Sequence, residues 1–386
     1  MIIGVDASNI RQGGGKTHLV ELISVLEPNV QKFDKLIVWC NQDISKNFIN
    51  KPWLIIKTPK DLDLGPTSRF IWQRFKLSRL AKVNCCDLLL IPGGSFSGKF
   101  KPFVTMSRNM LPFEWTEAKR YGVATITLRL IILRFLQSKT FKNANGVIFL
   151  TNYAKEKVLK VSGNLPCKKT IIPHGLNSRF KIIPKEQHLI SEYSNENPFQ
   201  LLYISIIDQY KHQWHVVEAV SKLKLIGYPI VLNLVGPSYP KALKRLERQI
   251  KKFDINNEFI KYHGPIPYDE LREFYEKSHL GIFASSCENM PNILLEIMAA
   301  GLPIACSNRG PMPEVLGDAG LFFNPESPKE ISVAIESLIN NPKLRKEKSF
   351  ASFQKAQKYS WQECADDTFD FLREVLSEYE GLPCAE

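Results

Sequence analysis

Apolar runs of three to six residues recur along this chain, and a helix-length segment separates most of them. Runs this short match strands buried on both faces, and their alternation with helices predicts parallel β-α-β units. In the first half the runs are Ile2–Val5, Leu36–Trp39, Leu88–Ile91, Val104–Met106 and Gly146–Leu150, with helical patterns at His18–Leu26, Ile71–Val83 and Asn152–Val161. In the second half they are Thr170–Ile172, Leu201–Ser205, Ile230–Val235, Ile260–His263, Leu280–Phe283, Ile304–Ser307 and Leu321–Phe323. Helices are predicted there at Val216–Leu225, Lys241–Lys252, Glu270–Lys277, Ile293–Ala300 and Glu330–Ile339. A chain of 386 residues has room for two such domains. The predicted boundaries are 1–165, 166–358 and a C-terminal helical tail at 359–386, with Ser162–Pro166 as linker and Lys181–Pro198 as a polar surface loop.

Charge divides along the same line. Residues 1–165 carry a net +14 and residues 166–386 a net −2, so the whole excess of +12 lies in the first half. Such a half attracts a polyanion: a membrane surface, a lipid pyrophosphate or nucleic acid. The stretch Thr116–Thr140 places basic residues around TLRLIILRFLQS, a pattern that suits either an interfacial helix or a core helix with charged ends. The eight cysteines are scattered with no C-x-x-C pair, which points to reduced thiols in a cytosolic setting. The N-terminal MIIGVDASN reads as a strand and no signal peptide, and no run of 18 apolar residues exists to span a membrane.

Chemistry concentrates in Ser285–Asn308, SSCENMPNILLEIMAAGLPIACSN. A strand, Leu280–Phe283, leads into a polar loop with Glu288. Pro291 then precedes a helix holding Glu296, which Gly301 stops before the next strand. A helix N-terminus presents free N–H groups and a partial positive charge, which suit a phosphate. Glu288 faces that position from the loop, and Glu296 is placed to accept hydrogen bonds from hydroxyls. An anion cradle with two hydroxyl acceptors fits a sugar nucleotide. The plainer alternative is a helix cap at Glu288 and a salt bridge at Glu296.

The E-x7-E spacing, with PNILLE inside it and MAAGLPIACSNRGPMPEVLGDAGLFFNP after it, resembles the retaining glycosyltransferases of family 4, the glycogen synthase-like group 1 enzymes. The likeness is specific over Tyr203–Pro325. It implies the GT-B fold: two Rossmann-like doubly wound domains with a cleft between them and a C-terminal helix crossing back onto the first. The first would be the acceptor side and the second the nucleotide-sugar domain. Gly14 and Gly15, in the GGGKT turn, would touch the donor phosphates; that turn fails the P-loop pattern because Ile10 stands where a glycine is required. Lys211 would neutralise the leaving diphosphate, with Ser205 as the small residue at the end of the strand before it. The family's arginine here is absent, its neighbourhood holding Ile206 and Ile207. Ile266 would lie against the base, Glu288, Asn289, Met290, Pro291 and Asn292 would bind sugar and phosphate, and Glu296 would bind ribose. His174, in a Pro-His-Gly turn, resembles a family P-N-G turn. Arg108 and Asn109 stand where the family often has a histidine, which makes Asn109, with Glu288 and Lys211, a candidate catalytic residue.

No metal or cofactor is expected beyond the donor itself. Asp61-Leu62-Asp63 follows a polar loop, where a metal-binding D-x-D would follow an apolar strand. The expected function is retaining, metal-independent transfer of a sugar from a UDP- or GDP-type donor to a glycan or lipid-linked hydroxyl, in cell-surface polysaccharide or lipopolysaccharide synthesis. The expected location is the cytoplasm, at an anionic membrane face, with no nucleic acid bound. The alternatives are a sugar-nucleotide epimerase or hydrolase on the same fold, and a basic nucleic-acid-binding protein.

Overall fold

The apolar runs pair into two parallel sheets in the computed structural model, which describes residues 1–11, 13–122 and 125–381. The first sheet contains β1 (Ile2–Asp6), β2 (Lys35–Trp39), β3 (Leu54–Lys57), β4 (Leu88–Ile91), β5 (Phe103–Met106), β6 (Gly146–Phe149) and β7 (Lys168–Ile171), in the order β3-β2-β1-β4-β5-β6-β7. The second contains β8 (Phe199–Ile204), β9 (Ile230–Val235), β10 (Ile260–Tyr262), β11 (Leu280–Phe283), β12 (Ile304–Ser307) and β13 (Leu321–Phe323), in the order β10-β9-β8-β11-β12-β13. Strands β4, β5, β6, β11 and β12 are buried at every residue. Helices on both faces explain why these strands read as continuous apolar runs and do not alternate.

Two compact units result: Met1–Ala118 with Gly122–Gly175 and Tyr359 onward, and Lys119–Tyr121 with Leu176–Lys358. The boundary predicted after residue 165 therefore moves. The strand read as the first of the second domain is β7, which pairs in parallel with β6 as the edge of the first sheet. Its sequence, KKTI, is half-buried throughout, as an edge strand is. His174 consequently belongs to the first unit. Its Nδ1 lies 2.7 Å from Nδ1 of His18, and both rings are buried.

The C-terminal helix Trp361–Glu380 packs within the first unit. Its apolar stripe meets the sheet and the early helices, with Phe369 5.0 Å from Phe33. Gln31 Nε2 donates to Asp366 at 2.6 Å, and Lys168 pairs with Glu374 and Glu378 at 2.5 Å each. Cys384 lies outside the described residues.

Each sheet reverses its strand order at one point, between β1 and β4 and between β8 and β11. Open parallel sheets bind ligands in the crevice outside the carboxyl ends of the strands at such points. In the second sheet the loops leaving those two strands are Ser205–His212 and Ala284–Pro291, which carry most of the predicted donor residues.

Candidate functional site

The loops after β8 and β11 are laced together. Ser286 N donates to Tyr210 O at 2.8 Å, and His212 Nε2 lies 2.9 Å from Ser286 Oγ. Tyr203, buried inside β8, donates its hydroxyl to Lys211 O at 2.6 Å. His212 adopts a left-handed conformation, φ 54°, which turns the chain from the loop into the helix Gln213–Leu225. Burial first, then the nearby Arg120, pulls the His212 imidazole down to about 3, so the ring is neutral.

This lacing brings Lys211 and Glu288 together across 77 residues of sequence as an ion pair, the lysine buried and the glutamate partly so. The ammonium also sits over the Tyr210 and Phe283 rings, 5.0 and 5.5 Å from their centres. Glu288 is thus a partner of the predicted cation, and not the helix cap of the plainer alternative. The helix that follows spans Asn292–Ala299 and starts after Pro291 with no side-chain cap. Leu295 N closes the first turn onto Pro291 O at 3.2 Å. The N–H groups of Asn292, Ile293 and Leu294 precede that bond and have no carbonyl one turn back. A lysine, a carboxylate and an open helix start therefore stand along one loop.

Glu296 has a different set of partners. Tyr275 donates to Oε2 at 2.8 Å and Tyr268 to Oε1 at 3.2 Å. Burial raises its carboxyl to about 7, against the lowering effect of the two tyrosines and Arg179. Each oxygen keeps a second lone pair for another hydroxyl. The tyrosines were absent from the sequence prediction; Tyr268 lies in a 3-10 turn, Tyr268–Glu270, and Tyr275 in the short helix Leu271–Lys277 that follows it. Proton binding at about 7 gives a test with a definite sign. If Glu296 accepts hydrogen bonds from the donor, nucleotide affinity rises as pH climbs through 7 and the carboxylate forms. Glu296→Gln should bind weakly and lose that pH dependence, as calorimetric titration between pH 6 and 8 would reveal. A folded variant with unchanged affinity removes this role.

Ser205 is buried at the end of β8, and its hydroxyl is committed within the loop. It accepts from Gln213 Nε2 at 2.8 Å and donates to Ile206 O at 3.1 Å. Ile266 is half-buried in the loop after β10, behind Gly264 at φ 69°. The segment Lys119–Tyr121 also belongs to this unit. Tyr121 donates to Asp208 Oδ1 at 2.9 Å, and Arg120 pairs with Glu326. Nothing in the local sequence signalled that role.

Gly14, Gly15 and Asn109 lie in the first unit. The two glycines open the helix Gly14–Ser24, and the Arg108 guanidinium donates to both of their carbonyls. Burial pulls Arg108 down to about 10, which leaves it charged at neutral pH. Asn109 Oδ1 accepts from Leu111 N at 3.1 Å and shapes the turn after β5. Asp61 pairs with Lys76 at 2.9 Å, and Asp63 accepts from Gln42 N at 3.0 Å. Among the described residues no group of three or more His, Cys, Asp or Glu side chains is arranged to hold a metal.

The family model described as glycosyl transferases group 1 matches residues 184–353. The match lies wholly within the second unit. Over 227 residues the chain is 25% identical to the O-antigen chain mannosyltransferase B of Escherichia coli, covering 58% of this chain and 56% of that protein. It is 27% identical over 225 residues to an uncharacterized glycosyltransferase of Methanocaldococcus jannaschii, covering 58% and 57%. The chain thus spans little more than half the length of these curated relatives. Among solved structures, the sucrose-phosphate synthase of Thermosynechococcus elongatus aligns with a TM-score of 0.76 at 14% identity, over 98% of this chain and all of that one. HepE of Anabaena, in complex with UDP and glucose, aligns with a TM-score of 0.69 at 15% identity, over 97% of this chain and all of that one. At these identities the likeness is one of fold, and the fold is GT-B. Neither an epimerase or hydrolase nor a nucleic-acid-binding protein gains support from these relatives. The matched segment holds every predicted donor residue except Gly14 and Gly15.

Proposed function

We propose that this chain is a retaining, metal-independent glycosyltransferase. It moves a sugar from a nucleotide diphosphate sugar of UDP or GDP type to a hydroxyl of a glycan or lipid-linked acceptor, in synthesis of a cell-surface polysaccharide such as lipopolysaccharide. It works in the cytoplasm, peripheral to the inner face of the membrane. One observation carries the reading: the part-buried Lys211–Glu288 pair beside the open N-terminus of Asn292–Ala299, at the switch point of the second sheet. The similarity to an O-antigen mannosyltransferase favours the polysaccharide assignment.

In this reading the donor diphosphate lies at the start of the helix and Lys211 turns toward it. Glu288 and the Asn289–Asn292 backbone hold the sugar and phosphate, with Glu296 on the ribose. As the bond from the anomeric carbon to the diphosphate oxygen breaks, charge grows on that oxygen. Lys211 and the helix N–H groups oppose it. The acceptor oxygen bonds to the anomeric carbon from the same face, and its proton passes to the leaving phosphate oxygen. This route requires no general base, so Asn109 serves to orient the acceptor.

Nucleotide preference comes first in the test. UDP, GDP, dTDP and ADP are compared by thermal shift, where a ligand at about 100 times its dissociation constant stabilises by about 2.7 kcal/mol. The sugar nucleotide carrying the preferred base is then supplied with and without glycan acceptors, in excess EDTA. Release of the nucleoside diphosphate that depends on acceptor, survives EDTA and leaves the anomeric configuration retained is the expected result. Hydrolysis without acceptor, inversion, or recovery only with magnesium or manganese would each overturn the corresponding part.

A further inference from the structure

The helix Thr125–Asn143 is turned the wrong way for a helix surrounded by water. Its buried positions are Leu130, Gln137, Thr140 and Phe141, two of them polar. Leu128, Ile131, Ile132 and Phe135 are spaced to form one stripe and are 60%, 46%, 51% and 68% exposed. The buried Thr140 is satisfied, accepting from Phe96 N at 2.9 Å and donating to Leu136 O at 2.8 Å. The inversion is therefore built into the fold. Leu130, in the middle of the apolar stretch, is buried.

A second helical stretch shares the same support. Pro66–Val83 runs through a π-helical turn at Gln73–Leu77, and its Phe70, Ile71 and Phe75 are 48%, 48% and 71% exposed. The loop Ser95–Ser97 ties the two stretches together. Ser97 N donates to Gln73 Oε1 at 2.9 Å, while the neighbouring Phe96 N donates to Thr140. Arg69 of one stretch is close enough to Arg129 of the other for their charges to repel. Together the stretches hold nine Lys and Arg and no Asp or Glu. Asp61, from the turn before them, pairs with Lys76. Exposed apolar side chains among cations of one sign suit an anionic lipid surface, where the charges attract and the apolar groups insert. A second copy of the same face would set nine cations against nine.

We propose that Phe70, Ile71, Phe75 and the Leu128–Phe135 stripe, with their basic surround, dock the first unit onto an anionic bilayer. The inference deepens the transfer reading by naming the surface on which a lipid-linked acceptor would be met, and it rests on that reading only for its purpose.

The test is co-sedimentation of the full chain with neutral phosphatidylcholine vesicles and with vesicles containing phosphatidylglycerol, at low and high salt. Each basic side chain near an anionic surface contributes about a fivefold gain in partitioning. Anionic vesicles should therefore bind at least about tenfold more protein than neutral ones, and high salt should release it. Arg129→Glu/Arg134→Glu should weaken binding by about a hundredfold, and Ile131→Ser/Phe135→Ser should abolish the part that survives salt. Circular dichroism and nucleotide thermal shift on each variant confirm that it is folded. Equal binding to both vesicle types, no binding to anionic vesicles, or a dimer by sedimentation velocity that the same substitutions disperse would overturn the proposal. Failure here leaves nucleotide binding intact, whereas failure of the transfer reading shows in nucleotide binding while vesicle binding persists.

Discussion

Lys211→Ala is expected to lower turnover by about 100- to 1000-fold, the usual cost of removing one group that stabilises charge in the transition state. The substitution also strands Glu288, whose side chain is only 15% exposed, so stability falls by about 3 kcal/mol. The two effects separate in Lys211→Met/Glu288→Gln, which removes both charges. Chemical denaturation should find most of the stability restored in that double variant, while turnover stays low. Near wild-type turnover in the double variant would place the cation elsewhere, with Arg108 the next candidate. Loss of stability in the double variant equal to the single would mean the pair is primarily structural.

The second large effect concerns Arg345, which is fully buried in the helix Pro342–Ala356. Its guanidinium donates to Leu338 O at 2.8 Å, to Ile339 O and His188 O, and to Gln187 Oε1 at 2.9 Å. Leu338 and Ile339 end the preceding helix, and the arginine donates to both terminal carbonyls, that of Leu338 also accepting from Asn341 N at 3.3 Å. Phe199, the first residue of β8, packs its ring 5.3 Å from the same group. Arg345→Met keeps the bulk and removes the donors. It should cost about 3–5 kcal/mol, seen as a fall in the urea midpoint, with Lys recovering only part because it lacks the planar fork. A change below about 1 kcal/mol would show that water takes over these carbonyls.

Much of this organisation was legible in the sequence because it is local. Leu280–Phe283, the Pro291 break, the apolar turns after it, Gly301 and Pro303 each have one strong structural meaning, and the β-α-β unit follows from them in order. Gly301 does sit at φ 61°. The misplacement of β7 has a physical cause. KKTI has the strand propensity of an edge, but local pattern does not say which sheet it joins, and the polar residues before it resemble a linker. The Lys211–Glu288 pair was illegible as a pair, since 77 residues separate its members and only the β8–β11 adjacency joins them. Each residue was found separately, Glu288 from its place in the loop ahead of the helix and Lys211 through its resemblance to a family position. The inverted helix was ambiguous for another reason. Apolar residues occupy all sides of LRLIILRFL, so periodicity cannot tell the buried Leu130 from the exposed Ile131.

Gly175 is the last residue of the first unit before the chain departs, and Trp361 stands just after its return at Tyr359. A Cβ on Gly175 would lie 2.4 Å from the Trp361 backbone, so the outgoing and incoming strands touch where they pass. The 183 residues of 176–358 thus stand in the sequence between two points of the first unit that lie against each other. Grafting the corresponding domain from another chain of this fold is in principle a two-junction exchange, at 175/176 and 358/359. The complication is Lys119–Tyr121, which lies outside that stretch in sequence yet belongs to the second unit, bonded there through Arg120–Glu326 and Tyr121–Asp208. A chimaera that keeps both junctions but mismatches these three residues would lose those two bonds, so they must travel with the graft.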